Sequence, residues 1–496
     1  MTVALALTAL VLTASANADA GSSKASPDAG PSKATASSSK SDGGSPASSK
    51  TDGGAPTTAV AANADELPPL PQGNIFPYAK KVEKLPNGLT VVMVPFESNG
   101  VVAYDTVMRV GSRNEVEDKR SGYAHFFEHM MFKGTKKTPE DKYAATLQKL
   151  GVDSNAFTTD DFTLYHNLAA ASALPELIEL EADRFQNLSY AKEAFQTEAK
   201  TILGEYNKNA SIPEEKLDEV VHKASFSQHP YRHTTMGFVE DIKAMPSGLD
   251  YSKQFFKRFY QPNNATVIIA GDFKPDEVLP LVQKAYASWK GKAEEPKVKT
   301  EPPQTTQKNE EVDWPTSTLP RLVLAYHTPE DKVGTKDAAV QHLLGPLLVG
   351  PTSPLYRDLV LDKQIVDHME SWYADHRDPD LFTIVITAKN EADLPAIQKA
   401  FDAEVADLSA GKVDAQTLHA LQLNQLYSAL TSFETPGPVG IALGSDIGVT
   451  GDPNGLDELY QSIAKVEVSD LVSFAQLYLA PDGRTTATLK AKGGAK

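Results

Sequence analysis

The stretch His125-Phe-Phe-Glu128-His129 constrains this chain more than any other. On a helix, histidines four residues apart project from one face. Two imidazoles at that spacing can share one metal ion, and zinc suits such donors. Glu128 lies beside His129 and can reach a water at the metal, where a carboxylate could act as general base. The pattern is H-x-x-E-H, the zincin H-E-x-x-H with the chain direction reversed. A bare His pair is more often a packed or solvated helix face than a ligand set. Here the apolar flanks Phe126, Phe127, Met130 and Met131 would pin the helix and dry the site.

Zinc needs at least one further protein ligand. Glu205 follows in Glu198-Ala-Lys-Thr-Ile-Leu-Gly-Glu205, where the two carboxylates are seven apart and share a helix face. Glu205 would complete a His₂Glu set with a fourth position for water. By spacing alone it is one surface carboxylate among many. The chain has no cysteine, which excludes thiolate zinc sites, disulfides, cysteine-ligated iron–sulfur clusters and a cysteine nucleophile. A net charge of −17 disfavours a nucleic-acid role. It suits cationic peptides, and equally plain solubility.

With 496 residues there is room for two or three domains. Residues 1–20 read as a signal peptide: an apolar run to Ala14, then Ala16-Asn17-Ala18 as a cleavage site, although the start lacks Lys or Arg. Export to the periplasm or medium is the expectation, with no stable membrane span. Residues 21–66, rich in Ser, Ala and Gly, read as a disordered tether. A first domain is expected over 67–295. It opens with a hairpin at Asn87-Gly88, has a strand over Val101–Val110, and runs as a single strand through Ser154–Ala169. Helices are expected over Ala173–Asn187, Lys192–Asn209 and Pro275–Trp289, with a buried strand from Thr266. The Pro-rich, charged stretch 296–316 reads as a linker. The second domain, 317–496, repeats the order of elements without the histidine motif, which hints at an internal duplication.

His125-Phe-Phe-Glu128-His129-Met-Met-Phe-Lys-Gly-Thr resembles the zinc motif of the insulinase/pitrilysin metallopeptidases, particularly the mitochondrial processing peptidase branch. Asn155-Ala-Phe-Thr-Thr, Glu198-x₆-Glu205, His229-Pro-Tyr-Arg, Phe259-Tyr-Gln-Pro-Asn-Asn, Gly271-Asp272 and Ser353-Pro-Leu-Tyr-Arg-Asp-Leu resemble further landmarks of that branch. The resemblance covers roughly Lys81 to Leu489. It implies an α+β fold of two homologous α/β rolls, each an antiparallel sheet packed with helices, forming half of a clam shell. It implies one Zn²⁺ per chain on His125, His129 and Glu205, with Glu128 as general base and Glu198 as an acid that orients or tunes the site. It implies that Asn155, Ala156 and Phe157 pair with an extended peptide substrate as an added strand. The activity implied is a zinc metalloendopeptidase working on peptides or unfolded segments inside a closed chamber.

The chain departs from the family in the second half. Where the family carries an Arg and, seven positions later, a Tyr that reach the substrate, this chain has Val360 and Asp367. Arg357 and Tyr373 have the wrong spacing. Either the alignment shifts, or function has diverged, or the chain is the zinc subunit of a heterodimer. In the last case a homologous partner lacking H-x-x-E-H would supply the Arg/Tyr pair; a homodimer is the rival arrangement. A non-catalytic structural or assembly subunit is the alternative from another class, since zinc-less relatives of this fold serve that way. The Gly-rich stretch Gly437–Gly444 lacks the Lys-Ser/Thr ending of a phosphate loop and reads as close helix packing. The scattered His166, His222, His327 and His342 read as structural.

Overall fold

The structure, a computed structural model, describes residues 67–492. The leader and tether readings over 1–66 lie outside the described residues. Two sheets organise the chain, each mixed rather than antiparallel throughout as expected, because one strand pair in each runs parallel. The first has the order β1-β2-β6-β3-β5-β4, with β1 Lys81–Lys84, β2 Thr90–Pro95, β3 Val101–Met108, β4 Asp153–Thr158, β5 Thr163–Ala170 and β6 Ala265–Gly271. The second has the order β7-β11-β8-β10-β9, with β7 Lys308–Trp314, β8 Arg321–Thr328, β9 Val366–Trp372, β10 Asp380–Ala388 and β11 Arg484–Ala491.

The five strands β2-β6-β3-β5-β4 correspond one for one to β7-β11-β8-β10-β9. In each set of five the first pair is parallel and the remaining pairs are antiparallel, and β1 adds antiparallel to β2 at the edge of the first sheet. The duplication hinted at by the order of elements is therefore a duplication of sheet topology. Between the strands of the first half run α1 Tyr123–Met130, α2 Glu140–Leu150, α3 Leu174–Asn187, α4 Lys192–Asn209, α5 Pro213–Ser225, α6 Val239–Ala244, α7 Leu249–Phe259 and α8 Pro275–Tyr286. The second half carries α9 Lys336–Val349, α10 Leu394–Ser409, α11 Ala415–Ser432, α12 Pro436–Thr450, α13 Gly455–Ile463 and α14 Val468–Tyr478.

The central strands are buried on both faces, so they read as continuous apolar runs rather than alternating ones. Val91, Met93, Tyr104, Val267 and Ile269 face the helices of the first half, among them α1 and α4. Val92, Val94, Val107, Leu164 and Ile268 face the other way, onto Val439, Leu443 and Ile447 of α12. The halves exchange cover: α12 lies on the first sheet, while Leu217 and Val221 of α5 pack on Val323, Ala325 and Val385 of the second. The glycines of 437–444 make the first contact possible. A Cβ at Gly440 would sit 1.9 Å from Asp105 Oδ2, and one at Gly444 would sit 2.2 Å from Leu164 Cδ1. Close packing is their role, as expected.

Two expectations need correction. Ser154–Ala169 is not one strand but a hairpin, β4 and β5, with a turn at 159–162. Thr159 closes it: its N–H donates to the Phe162 carbonyl at 2.8 Å, and its Oγ1 accepts from the N–H groups of Asp161 and Phe162. The stretch 296–316, read as a linker, contains β7, which pairs in parallel with β11 over Lys308–Trp314. β7 is an edge strand with most side chains in solvent, so its composition is that of a loop and only its partner makes it a strand.

The hairpin tip is clasped from three sides. Arg113 N–H donates to the Asp160 carbonyl at 2.8 Å. Tyr231 Oη donates to both oxygens of the buried Asp161 (2.8 and 3.0 Å), and Arg377 N–H, from the β9–β10 loop, donates to its Oδ2 at 3.0 Å. Tyr231→Phe removes a donor from a buried carboxylate and is expected to cost about 1.5–3 kcal/mol. A fall in the urea midpoint at unchanged slope checks this; an unchanged midpoint would contradict it.

Candidate active site

α1 starts without a side-chain cap of its own. Gly122, at φ +86°, and Ala124 donate their N–H groups to the buried Glu115 carboxylate at 2.6 and 2.7 Å. That carboxylate satisfies the helix start from seven residues upstream, while burial pushes its pKa up to about 8. A Cβ at Gly122 would lie 2.6 Å from the Met236 carbonyl, so the tight entry into the helix demands glycine. The apolar residues of α1 then anchor it. Phe127 stacks on Phe255 of α7 at 5.4 Å, and Phe126 meets Phe195 of α4 edge-on at 5.1 Å.

Phe195, Ala199 and Ile202 form the buried stripe of α4, whose bounds match the expected Lys192–Asn209. That packing carries Glu198 and Glu205 to the polar face of α1. The Nε2 atoms of His125 and His129 lie 3.7 and 3.5 Å from the same Glu205 oxygen, and all three donor atoms fall within 4.8 Å of one another. A tetrahedral ion with bonds of about 2.1 Å holds its ligands roughly 3.4 Å apart, close to these separations. The donor set thus fits zinc without rearrangement of the helices.

The surrounding groups prepare the donors. Glu198 Oε1 lies 2.9 Å from His129 Nδ1, which fixes the ring and leaves Nε2 facing Glu205. Lys133 Nζ sits 2.9 Å from the other Glu198 oxygen and 2.9 Å from Glu140. Burial opposes the charge on Glu198, but the hydrogen bonds from His129 and Lys133 prevail and bring its pKa to about 2. Burial, then the neighbouring His129 charge, lowers His125 to about 3, so it is neutral, as a ligand must be. His129 is raised: burial lowers it, and the bond to Glu198 and the charges of Glu128 and Glu205 outweigh that. Burial raises the pKa of Glu128, against the Thr158 hydroxyl and His129, which lower it.

Asn155, Ala156 and Phe157 lie on β4, the open edge of the first sheet, directly beside α1. The Thr159–Phe162 bond sets the ladder phase, which turns the N–H and C=O of Ala156 outward. That N–H takes the Asn155 side-chain oxygen at 2.9 Å. Sequence reading missed Thr158, Lys133 and Glu115. Thr158 was within reach of it, two positions from Ala156 and so on the same strand face.

Val360 is half-buried against the core and Asp367 is exposed on β9. Tyr373 Oη donates to Asp331, so it is tied to its own half. Among the described residues a second group, Asp331, His342 and Asp375, also has ligand spacing. There the Asp331 oxygens already accept from Tyr373, His376 N–H and Gln341, and His342 Nε2 lies 3.0 Å from Asp375 Oδ1.

Residues 91–238 match the insulinase (peptidase family M16) domain, and residues 249–424 match the peptidase M16 inactive domain. Zinc protease PqqE of Helicobacter pylori is 30% identical over 82% of this chain and 91% of its own length. A probable mitochondrial-processing peptidase subunit beta of Arabidopsis thaliana is 25% identical over 80% of this chain and 76% of its own. The crystal structure of a protease from Helicobacter pylori superposes with a TM-score of 0.78 at 29% identity, covering 83% of this chain and all of that one. Among the described residues no helix is long and apolar enough to cross a membrane. The matched domains, the PqqE identity and the shared fold lead to one assignment: the chain belongs to the insulinase family of zinc metallopeptidases, peptidase family M16.

Proposed function

We propose that the chain is a zinc-dependent endopeptidase acting on extended peptides or unfolded segments inside a closed chamber, with His125, His129 and Glu205 as ligands. The observation that carries this reading is the convergence of the three donors beside Glu128, next to an open sheet edge. Bound there, zinc supplies Lewis acidity toward a peptide carbonyl and toward water. An extended peptide adds to β4 once the Asn155 side chain releases the Ala156 N–H. Glu128 takes the proton from the attacking water and delivers it to the leaving amine. Glu198 holds the His129 ring. Digestion of a peptide library, followed by mass spectrometry, tests the activity; no cleavage by the zinc-loaded protein under any partner condition would refute it.

Glu198→Gln weakens the acceptor for His129 Nδ1 and leaves Lys133 with Glu140 as its charged partner. Zinc affinity or turnover is expected to fall about 10- to 100-fold. Chelator competition measures the affinity; a wild-type value for both would contradict the role.

Val360 and Asp367 cannot contact substrate as an Arg/Tyr pair would, which supports a two-subunit arrangement with a homologous chain that supplies that pair. Co-expression with a homologue lacking H-x-x-E-H is expected to shift the chain to a dimer on size exclusion and raise activity. Full activity from this chain alone would rule out the heterodimer.

A further inference from the structure

We propose that Thr158 is a positioning residue for peptide cleavage, its hydroxyl holding the Glu128 carboxylate in the orientation from which the other oxygen serves the reaction. The proposal rests on the reading of Glu128 as the base. Thr158 Oγ1 lies 2.6 Å from Glu128 Oε2 and is the donor in that bond. The other hydroxyl nearby is Thr163 Oγ1, at 3.4 Å, and Thr163 gives its own proton to the Val110 carbonyl at 2.9 Å. An ionised carboxylate only accepts. The Thr158 proton therefore belongs to Glu128, and it occupies Oε2 while leaving Oε1 for the proton transfer.

The terminal torsion of a glutamate is broad, so the side chain does not fix the direction of its own oxygens. Thr158 does, because it is itself held. It is buried at the last position of β4. The adjoining turn is closed by Thr159 and clasped by Arg113, Tyr231 and, from the second half, Arg377. The free edge of the same strand is where a peptide would add. Substrate and base are thus referenced to one rigid strand, and an error of about 1 Å between them is enough to cost roughly 100-fold in rate.

The test compares Thr158→Ala with Thr158→Ser, a pair that differs only in the hydroxyl, alongside Glu128→Gln and wild type, each loaded with zinc and with its zinc content measured. Thr158→Ala is expected to lower kcat about 10- to 100-fold with KM within about threefold and zinc content unchanged, and Thr158→Ser to restore kcat to within about threefold of wild type. The Ala–Ser comparison isolates the hydroxyl even where loss of the methyl disturbs packing. If Glu128→Gln is inactive while Thr158→Ala turns over within twofold of Thr158→Ser, the positioning role is overturned and the base survives. If Glu128→Gln keeps wild-type turnover, the base assignment falls and takes the positioning role with it.

Discussion

Glu128→Gln is expected to leave the protein folded and zinc-loaded while lowering peptide turnover roughly 100- to 10,000-fold. Glutamine is close in shape and keeps an oxygen for the Thr158 hydroxyl, 2.6 Å away in the wild type. It cannot take a proton. The three proposed zinc donors, His125, His129 and Glu205, are untouched, so metal content separates loss of the base from loss of the site. Assay of the variant against a cleaved peptide, with zinc measured in parallel, checks both halves. Wild-type turnover would refute Glu128 as base, and loss of zinc would show that the carboxylate is part of the donor set.

His129→Ala should have the opposite signature. It removes one of the two imidazoles facing Glu205 and strands Glu198, whose low pKa depends on His129 and Lys133. Two donors, His125 and Glu205, do not hold zinc tightly. Lewis acidity is worth several kcal/mol at the transition state, so turnover should fall by roughly 1,000-fold or more, and zinc should be lost with it. The fold should survive, because the partly buried His129 lies at the polar face of a helix anchored by Phe126, Phe127 and Met130. Turnover near wild type in a zinc-free variant would exclude the metal mechanism.

The candidate donors could be singled out in the sequence because each rests on a local pattern. The i, i+4 histidines need only a helix, and the i, i+7 glutamates need only a second one, whose bounds follow from its apolar stripe. That the two helices meet does not follow from spacing. It depends on Phe126 against Phe195, a contact across 69 residues of chain, and only the family resemblance supplied it beforehand. The missed turn at 159–162 is a local signal overlooked: Thr159-Asp-Asp carries turn chemistry, but Phe157 and Phe162 on either side give the stretch the look of one strand. β7 is a different kind of miss, since Lys308-Asn-Glu-Glu carries no strand signal and the pairing with β11 decides it. The exchange of α5 and α12 between the sheets is likewise invisible locally. Its trace is the pair Gly440 and Gly444, small where Asp105 and Leu164 of the other half press in.

The metal content of the purified chain tests the account most directly. Inductively coupled plasma mass spectrometry on protein prepared without added chelator should find about one zinc ion per chain, bound through His125, His129 and Glu205, and essentially none in His129→Ala. Protein that is folded yet holds no stoichiometric zinc, even after exposure to the metal, would contradict it and leave the chain a structural member of a peptidase family.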